Sequence, residues 1–375
     1  MLKVLAAYGT RPESVKMAPV IRALQARSEA VDLTICNTGQ HRDMVAHVEK
    51  LFGIEPDIRL DVMQPNQSLA GLTSALLTAL DRVMIDYQPD WVLAQGDTTT
   101  VLVSGLVAYY HQARFAHVEA GLRTGDKFRP FPEEGNRRAV DPISDACFAP
   151  TLHSKTVLLA ENIPSENVIV TGNTVIDALQ YVAALPYEWS AGPLADVPQT
   201  GRLVLITAHR RESFGETFQQ MCHAIVELAQ RFPETTFVYP VHLNPNVQKP
   251  VHAILSGYDN IWLLPPVDYQ SMVQLQRHAT LILTDSGGIQ EEAPTFGVPV
   301  LVMRDATERS EGIAAGVAKL VGTQRDRIVS QASALLSDPD ALVSMQTHAN
   351  PYGDGHASER IVAHLLGEPF EPLGL

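Results

Sequence analysis

The sequence predicts an α/β chain of two doubly wound, Rossmann-like domains, each a parallel sheet flanked by helices. Three observations carry that prediction. Short apolar runs alternate with helical segments along the whole chain, which implies parallel strands joined by right-handed crossovers. At 375 residues the chain is long enough for two cores. The stretch PYEWSAGPLADVPQTG at 186–201 interrupts the alternation, is rich in proline and glycine, and reads as the linker. The domains are therefore expected at 1–185 and 186–355. Two such sheets would face a central cleft, and ligands of such sheets bind beyond the carboxyl ends of the strands.

In the first half, Lys3 to Tyr8 reads as a buried strand. Gly9-Thr10-Arg11-Pro12-Glu13 then opens a helix, with Pro12 and Glu13 suited to its first turn. Arg11 and Lys16 are thereby carried at the helix start, above the carboxyl end of the strand. Val31 to Asn37 is a second strand, followed by the polar loop Gly39-Gln40-His41-Arg42, a helix around Met44–Phe52 and a long amphipathic helix over Leu69–Asp86. Trp91 to Ala94 is a third strand and ends in Gln95-Gly96-Asp97. At that turn Asp97 suits a helix N-cap and a site carboxylate equally well. Phe115 to Val118 ends in Glu119, a carboxylate too costly to bury without a site role or a paired base such as Arg123. Glu133, Glu134, Arg137 and Arg138 share a helix start after a proline-bracketed loop; alone they would read as an exposed ion-pair cluster. Strands at Ala146–Ala149 and Val168–Val170, with helices at Ser154–Glu161 and Asn173–Ala184, complete the half.

The second half repeats the pattern with strands at Leu203–Thr207, Thr236–Pro240, Ile261–Leu264 and Leu281–Leu283. The helices between them are expected at Glu216–Arg231, Asn246–Leu255 and Gln270–His278. Thr284-Asp285-Ser286-Gly287-Gly288 then opens a short helix that Pro294 limits, and a strand at Val300–Met303 follows. Glycines permit close approach of backbone to ligand, and a helix start offers free N–H groups and partial positive charge. Ser286, Gly287 and Gly288 are thus a candidate anion site, with Glu292 able to accept from sugar hydroxyls. By itself an SGG turn is more often an ordinary strand–helix connection. His209, flanked by Arg210 and Arg211 at a strand end, suits a phosphate or leaving group. Arg304 and Arg309 add cations, and His242 is equally compatible with structure or function.

Composition narrows the function. A formal charge of −14 argues against a nucleic-acid partner. Cys36, Cys147 and Cys222 form no CxxC pair and read as buried, reduced thiols. No signal peptide is evident, and the longest apolar run, near 101–110, is about half the ~18 residues of a membrane span. A cytoplasmic protein is expected. No HxxxH or HExxH spacing suggests a metal, no GxGxxG follows the first strand to suggest NAD, and no GxSxG elbow is present. Neither a cofactor nor a metal is expected.

The motifs GTRPE at 9–13, GDTTT at 96–100, HVEAGLRT at 117–124, PEEGNRR at 132–138, TAHRRES at 207–213 and TDSGGIQEEAP at 284–294 occur in that order. Together they closely resemble the non-hydrolysing UDP-N-acetylglucosamine 2-epimerases over nearly the whole chain. The resemblance implies the fold of one class of nucleotide-sugar glycosyltransferases, with a last helix, about 356–375, packing back on the first domain. It implies reversible conversion of UDP-GlcNAc into UDP-ManNAc, by elimination of UDP to 2-acetamidoglucal and re-addition, a supply of ManNAc units for surface polysaccharide, and a homodimer. At matching positions Arg11, Ser286, Gly287 and His209 resemble residues around the UDP diphosphate, and Glu292 the ribose ligand. Lys16, Asp97, Glu119, Glu133, Arg137 and Arg309 resemble the sugar and diphosphate pocket.

Chemistry gives an independent reason for these residue types. The C2 proton of an N-acetylhexosamine is barely acidic, so departing UDP must be stabilised by cations and N–H groups. Proton traffic on two faces and an oxocarbenium-like centre need more than one carboxylate. Asp97 and Glu119 are the expected proton carriers, with Glu133 orienting the sugar. The sequence also departs from the family. Gln40-His41-Arg42 keeps a segment through which many bacterial members bind a second, activating UDP-GlcNAc, but Asp43 stands where Gln is frequent. Ala75 falls where an arginine is expected, and Ser310 replaces a common Pro. A carboxylate repels a diphosphate and the arginine clamp is lost, so weak or absent activation is expected. The rival readings are an epimerase of a related UDP-2-acetamido sugar, a same-fold glycosyltransferase, and a non-catalytic UDP-sugar sensor. The last two would not need three carboxylates.

Overall fold

The first unit, Met1–Tyr181 with Tyr352–Leu375, is built on strands β1 (Leu2–Tyr8), β2 (Val31–Asn37), β3 (Ile58–Arg59), β4 (Trp91–Gln95), β5 (Arg114–Val118), β6 (Ala146–Ala149) and β7 (Val168–Val170). They form one parallel sheet in the order β3-β2-β1-β4-β5-β6-β7. Helices α1 (Arg11–Gln25), α2 (Arg42–Phe52), α3 (Leu69–Tyr87), α4 (Thr99–Tyr110), α5 (Glu133–Val140), α6 (Leu152–Ala160) and α7 (Thr174–Ala184) connect them. The structure, a computed structural model, describes residues 1–40, 42–64, 66–346 and 349–374. Strand order reverses between β1 and β4, and the GTRPE and GDTTT motifs follow those two strands. Helix α4 is the apolar run near 101–110; it packs on α3, α5, β4 and β5, so it is a core helix. Among the described residues no helix is long and apolar enough to cross a membrane.

The second unit, Val182–Pro351, carries β8 (Arg202–Thr207), α8 (Glu216–Arg231), β9 (Thr235–Pro240), α9 (Pro245–Leu255), β10 (Ile261–Leu264), α10 (Tyr269–His278), β11 (Leu281–Thr284), α11 (Gly287–Glu292), β12 (Val300–Val302), α12 (Ser310–Ala314), β13 (Ala318–Leu320), α13 (Arg325–Ser337) and α14 (Pro339–Ser344). Its parallel sheet runs β10-β9-β8-β11-β12-β13, so order reverses between β8 and β11, which precede TAHRRES and TDSGG. The sheet is buried on both faces: Leu203 and Leu205 enter one apolar cluster while Val204 and Ile206 enter the other. That explains why its strands read as continuous apolar runs. The stretch 186–201 is linker-like in composition, yet Trp189, Leu194 and Val197 are buried in this unit, and Trp189 Nε1 donates to Val197 O at 2.9 Å. Its apolar anchors outweigh its prolines. Cys36, Cys147 and Cys222 are free and buried, and burial pushes the Cys36 and Cys222 thiols up to about 12.

The last helix, α15 (Ala357–Leu366), returns to the first unit and packs on α1. Asp177 on α7 caps it from a distance in sequence, accepting from Ser358 N at 2.7 Å and Ala357 N at 3.3 Å. Arg360 clamps the Asp354 carboxylate with bonds of 2.7 and 2.6 Å and donates to Thr171 O at 3.0 Å. Asp177→Ala is expected to cost about 1–2 kcal/mol of unfolding free energy, the range of a lost N-cap. Hydrogen exchange at residues 357–366 would accelerate selectively; unchanged protection there would show that the cap does not hold the helix.

Candidate active site

In the first unit the residues after β1, β4 and β5 meet through buried polar bonds. Glu13 accepts from Gly9 N and Thr10 N at 2.7 Å each and from the Thr98 hydroxyl. It thereby ties the turn after β1 to the turn after β4, although its burial pushes the carboxyl up. This leaves Arg11 exposed at the first position of α1 and Lys16 one turn further on. Lys16 pairs with Glu119, directly after β5. Glu119 is 6% exposed and held in the left-handed region at φ +67°, a conformation that costs a non-glycine residue about 1–3 kcal/mol. Its carboxylate also accepts from Gln95 Nε2 and, at 2.9 Å, from Asn173 Nδ2. The base beside Glu119 is thus Lys16. Arg123, the base proposed from sequence, instead pairs with Asp141 and Glu161.

Asp97 does not cap α4; the N-cap is Thr98. The Asp97 carboxylate accepts from Arg137 Nη1 at 2.5 Å, and Arg137 also donates to Glu134 at 2.8 and 3.3 Å. Burial alone would raise the Glu134 carboxyl, but hydrogen bonds from Arg137, Thr124 N and Gly125 N hold it below the ordinary range. Glu134 and Arg137 are buried, so the helix-start cluster is no surface decoration. Glu133 differs from its neighbours: its Oε2 is buried and makes no hydrogen bond among the described residues. Sequence reasoning passed over Gln95, Asn173, Asn136 and His117. The signal available for His117 was an imidazole inside an otherwise apolar strand.

In the second unit Asp285, a residue also passed over, organises the end of β8. It is fully buried, and its Oδ2 accepts from His209 N at 2.7 Å and Arg210 N at 2.8 Å. Its Oδ1 lies 3.8 Å from His209 Nδ1, and the His209 ring stacks on His242 with centroids 5.3 Å apart. Ser286 is the N-cap of α11 but its hydroxyl makes no capping bond. Gly287 packs closely on Arg309: a Cβ there would lie 3.2 Å from Arg309 Cζ. Gly288 follows, half-buried, in the first turn of α11. Arg309 itself is held by Glu291 at 2.8 Å and Glu308 at 2.7 Å, and Arg304 by Glu308 at 3.1 Å and Glu212 at 3.4 Å. The cations expected here are therefore partly neutralised by acids the sequence reading did not weigh. Burial would raise the Glu308 carboxyl, yet Arg309 and Arg304 hold it down. Glu292, 7% exposed, accepts from Gln276 Nε2 at 2.6 Å.

Of the second-site residues, Gln40 is half-buried, His41 lies outside the described residues, and Arg42 and Asp43 open α2. Ala75 lies on α3 against the apolar cluster of the first unit. Among the described residues no group of three or more His, Cys, Asp or Glu side chains could hold a metal.

Comparison with known proteins adds to this geometry. The sequence profile of a family described as UDP-N-acetylglucosamine 2-epimerase matches residues 22–366. The chain is 48% identical over 370 residues to the UDP-N-acetylglucosamine 2-epimerase of Yersinia pestis, covering 97% of this chain and 98% of that one. It is similar in structure to the Neisseria meningitidis UDP-GlcNAc 2-epimerase solved with UDP-GlcNAc, with a TM-score of 0.89, 45% identity, and coverage of 98% and 100%. It is likewise similar to the S. aureus MnaA–UDP co-structure, with a TM-score of 0.89, 41% identity and full coverage of both chains (100% each).

Lys16→Met would leave Glu119 buried without its cation. The expected loss is about 3 kcal/mol of unfolding free energy, and adding Glu119→Gln should recover part of it. Additive losses in denaturant unfolding of the double variant would rule out the coupling.

Proposed function

Because the chain belongs to the UDP-N-acetylglucosamine 2-epimerase family, we propose that it interconverts UDP-GlcNAc and UDP-ManNAc by eliminating and re-adding UDP. The observation that carries the reading is the set of three carboxylates around the ends of β4 and β5 and the start of α5, each in a different hydrogen-bonding environment. Among the described residues Glu119 accepts from Lys16, Gln95 and Asn173, Asp97 accepts from an arginine, and Glu133 has a buried oxygen without a donor. Hydrogen bonds to a carboxylate favour its charged form and reduce its basicity. This favours Glu133, rather than Glu119, as the partner of Asp97 in proton transfer. Glu119, ringed by donors and paired with Lys16, suits stabilisation of the oxocarbenium-like centre at C1.

In the forward direction a carboxylate takes the C2 proton while the bond from C1 to the diphosphate oxygen breaks, leaving 2-acetamidoglucal and UDP. Return of the proton to the opposite face of C2, with re-formation of the C1–oxygen bond, gives the epimer. Arg11, His209, Ser286, Gly287, Gly288 and Arg309 are assigned to the diphosphate, Glu292 to the ribose, and Lys16 and Arg137 to holding the sugar-side carboxylates. Leaving-group stabilisation of this kind supplies the largest share of such a barrier reduction. The reading includes a homodimer in the cytoplasm that supplies ManNAc units for surface polysaccharide. A glycosyltransferase or a sensor would leave three carboxylates without a task.

Incubation with UDP-GlcNAc alone in D2O should give UDP-ManNAc carrying deuterium at C2, read by proton NMR. Asp97→Asn and Glu133→Gln should each slow that exchange at least ~10²-fold, the usual contribution of general acid–base catalysis. Exchange at the unmodified rate in Glu133→Gln would send the proton assignment back to Glu119. Started from UDP-ManNAc alone, the reaction should show no lag, since Asp43 and Ala75 stand where an activating site needs an amide and an arginine. A lag abolished by traces of UDP-GlcNAc would show that the second site survives.

A further inference from the structure

We infer that His117 is a positioning residue for Asp97, a buried imidazole that fixes the peptide immediately before it; this rests on the epimerase reading above. His117 is the fourth residue of β5 and is fully buried. Its Nε2 lies 2.7 Å from the carbonyl oxygen of Gly96, which can only accept, so Nε2 carries a hydrogen. Its Nδ1 lies 2.5 Å from Asp141 Oδ1. Asp141 is itself fully buried, and its other oxygen accepts from Arg123 Nη2 at 2.6 Å. Burial would raise the Asp141 carboxyl, but His117 and Arg123 outweigh it and hold it below the ordinary range. The ring is thus anchored at both nitrogens, by Asp141 on one side and by the Gly96 carbonyl on the other. Beyond Arg123 the chain of alternating charge ends on Glu161, at 2.6 and 3.0 Å.

The network acts on one short stretch of backbone. Gly96 stands at φ +88°, a conformation glycine adopts freely, and its N–H donates to Val118 O at 3.0 Å. Its carbonyl is held by His117, and the carbonyl of Asp97 is held by Asn136 Nδ2 at 2.8 Å. The peptides on both sides of the Asp97 α-carbon are therefore each fixed by a buried side chain. As a stabilising device a buried ion pair gains little over apolar side chains of the same volume. What this one supplies is a rigid N–H at Gly96 O, and hence a fixed origin for the Asp97 carboxylate. A misplacement of a reacting group by about 1 Å can cost ~10² in rate.

Two substitutions separate the halves of the imidazole. In His117→Gln the amide nitrogen falls near Nε2 and can still donate to Gly96 O; in His117→Asn it falls near Nδ1 and keeps only the Asp141 contact. The full chain is assayed with UDP-GlcNAc for kcat and KM, with UDP affinity by calorimetry and thermal melting alongside. His117→Asn should lose roughly 10²-fold in kcat with KM and UDP affinity within about threefold, while His117→Gln stays within about tenfold of the parent kcat. Equal kcat in both variants, or a better kcat in His117→Asn, would reduce His117 to a structural ion pair. Should His117→Asn fail to fold, Asn136→Ala removes the clamp on the other side of Asp97 and is expected to lower kcat similarly; an unchanged kcat there overturns the inference. If the unmodified chain leaves UDP-GlcNAc untouched, the epimerase reading fails and takes this inference with it. If it turns over normally and the variants do too, the positioning role alone is lost.

Discussion

A carboxylate cannot be left bare at the end of a buried strand, and Glu119 shows how much structure that constraint recruits. It occupies a backbone conformation that disfavours a side chain and is almost wholly shielded from water. It is tolerable only because a lysine from α1 and amides from the end of β4 and the start of α7 converge on it. Those donors come from α1, the last residue of β4 and the residue before α7, so the doubly wound topology is what brings them to one carboxylate. The switch point between β1 and β4 does the rest. Strands diverge there, the loops after them part, and polar side chains replace the apolar packing that would otherwise fill the gap.

The second unit solves the same problem with a different acid. Asp285 is buried at the end of β11 and is compensated chiefly by backbone N–H groups of the loop after β8. A bond between the Thr207 and Thr284 hydroxyls at 2.6 Å joins the two strand ends just before that loop. The His209 ring is therefore presented by a frame tied to α11, the same element that carries Ser286 and Gly287. In each unit a buried acid ties together chain segments that follow different strands. The first unit places the carboxylates of Asp97 and Glu119 after β4 and β5, and the second places His209 and Arg210 after β8 and the start of α11 after β11.

Much of this was legible in the sequence, for identifiable reasons. Strands β1, β4, β8 and β11 carry uninterrupted apolar runs that end in polar turns, and such runs announce buried parallel strands. Strands β3 and β13, of two and three residues, are too short to show a period at all. The cost of burying Glu119 was readable, but its partner was not: Lys16 is 103 residues away in sequence, whereas Arg123 is a near neighbour that the fold turns toward Asp141. The acids that restrain Arg309 and Arg304 were equally invisible, since local spacing counts charges without showing which ones pair. Trp189, Leu194 and Val197 illustrate the opposite case, in which composition suggests a free linker and tertiary burial overrides it.

The unequal treatment of the three carboxylates bears on how one site can move a proton to either face of the same carbon. Identical acids in identical surroundings would share one basicity, so surroundings alone would not single out one of them for a separate task. Here the number of side-chain donors among the described residues falls from Glu119 to Asp97 to Glu133. On the proposed reading, the carboxylate most surrounded by donors sits beside the developing positive charge and the other two are left to the proton. The gradation is not a property of any one residue type, because two of the three are glutamates. It arises from where α1, α5 and α7 place Lys16, Arg137 and Asn173, and from the absence of a donor, among the described residues, at Glu133 Oε2.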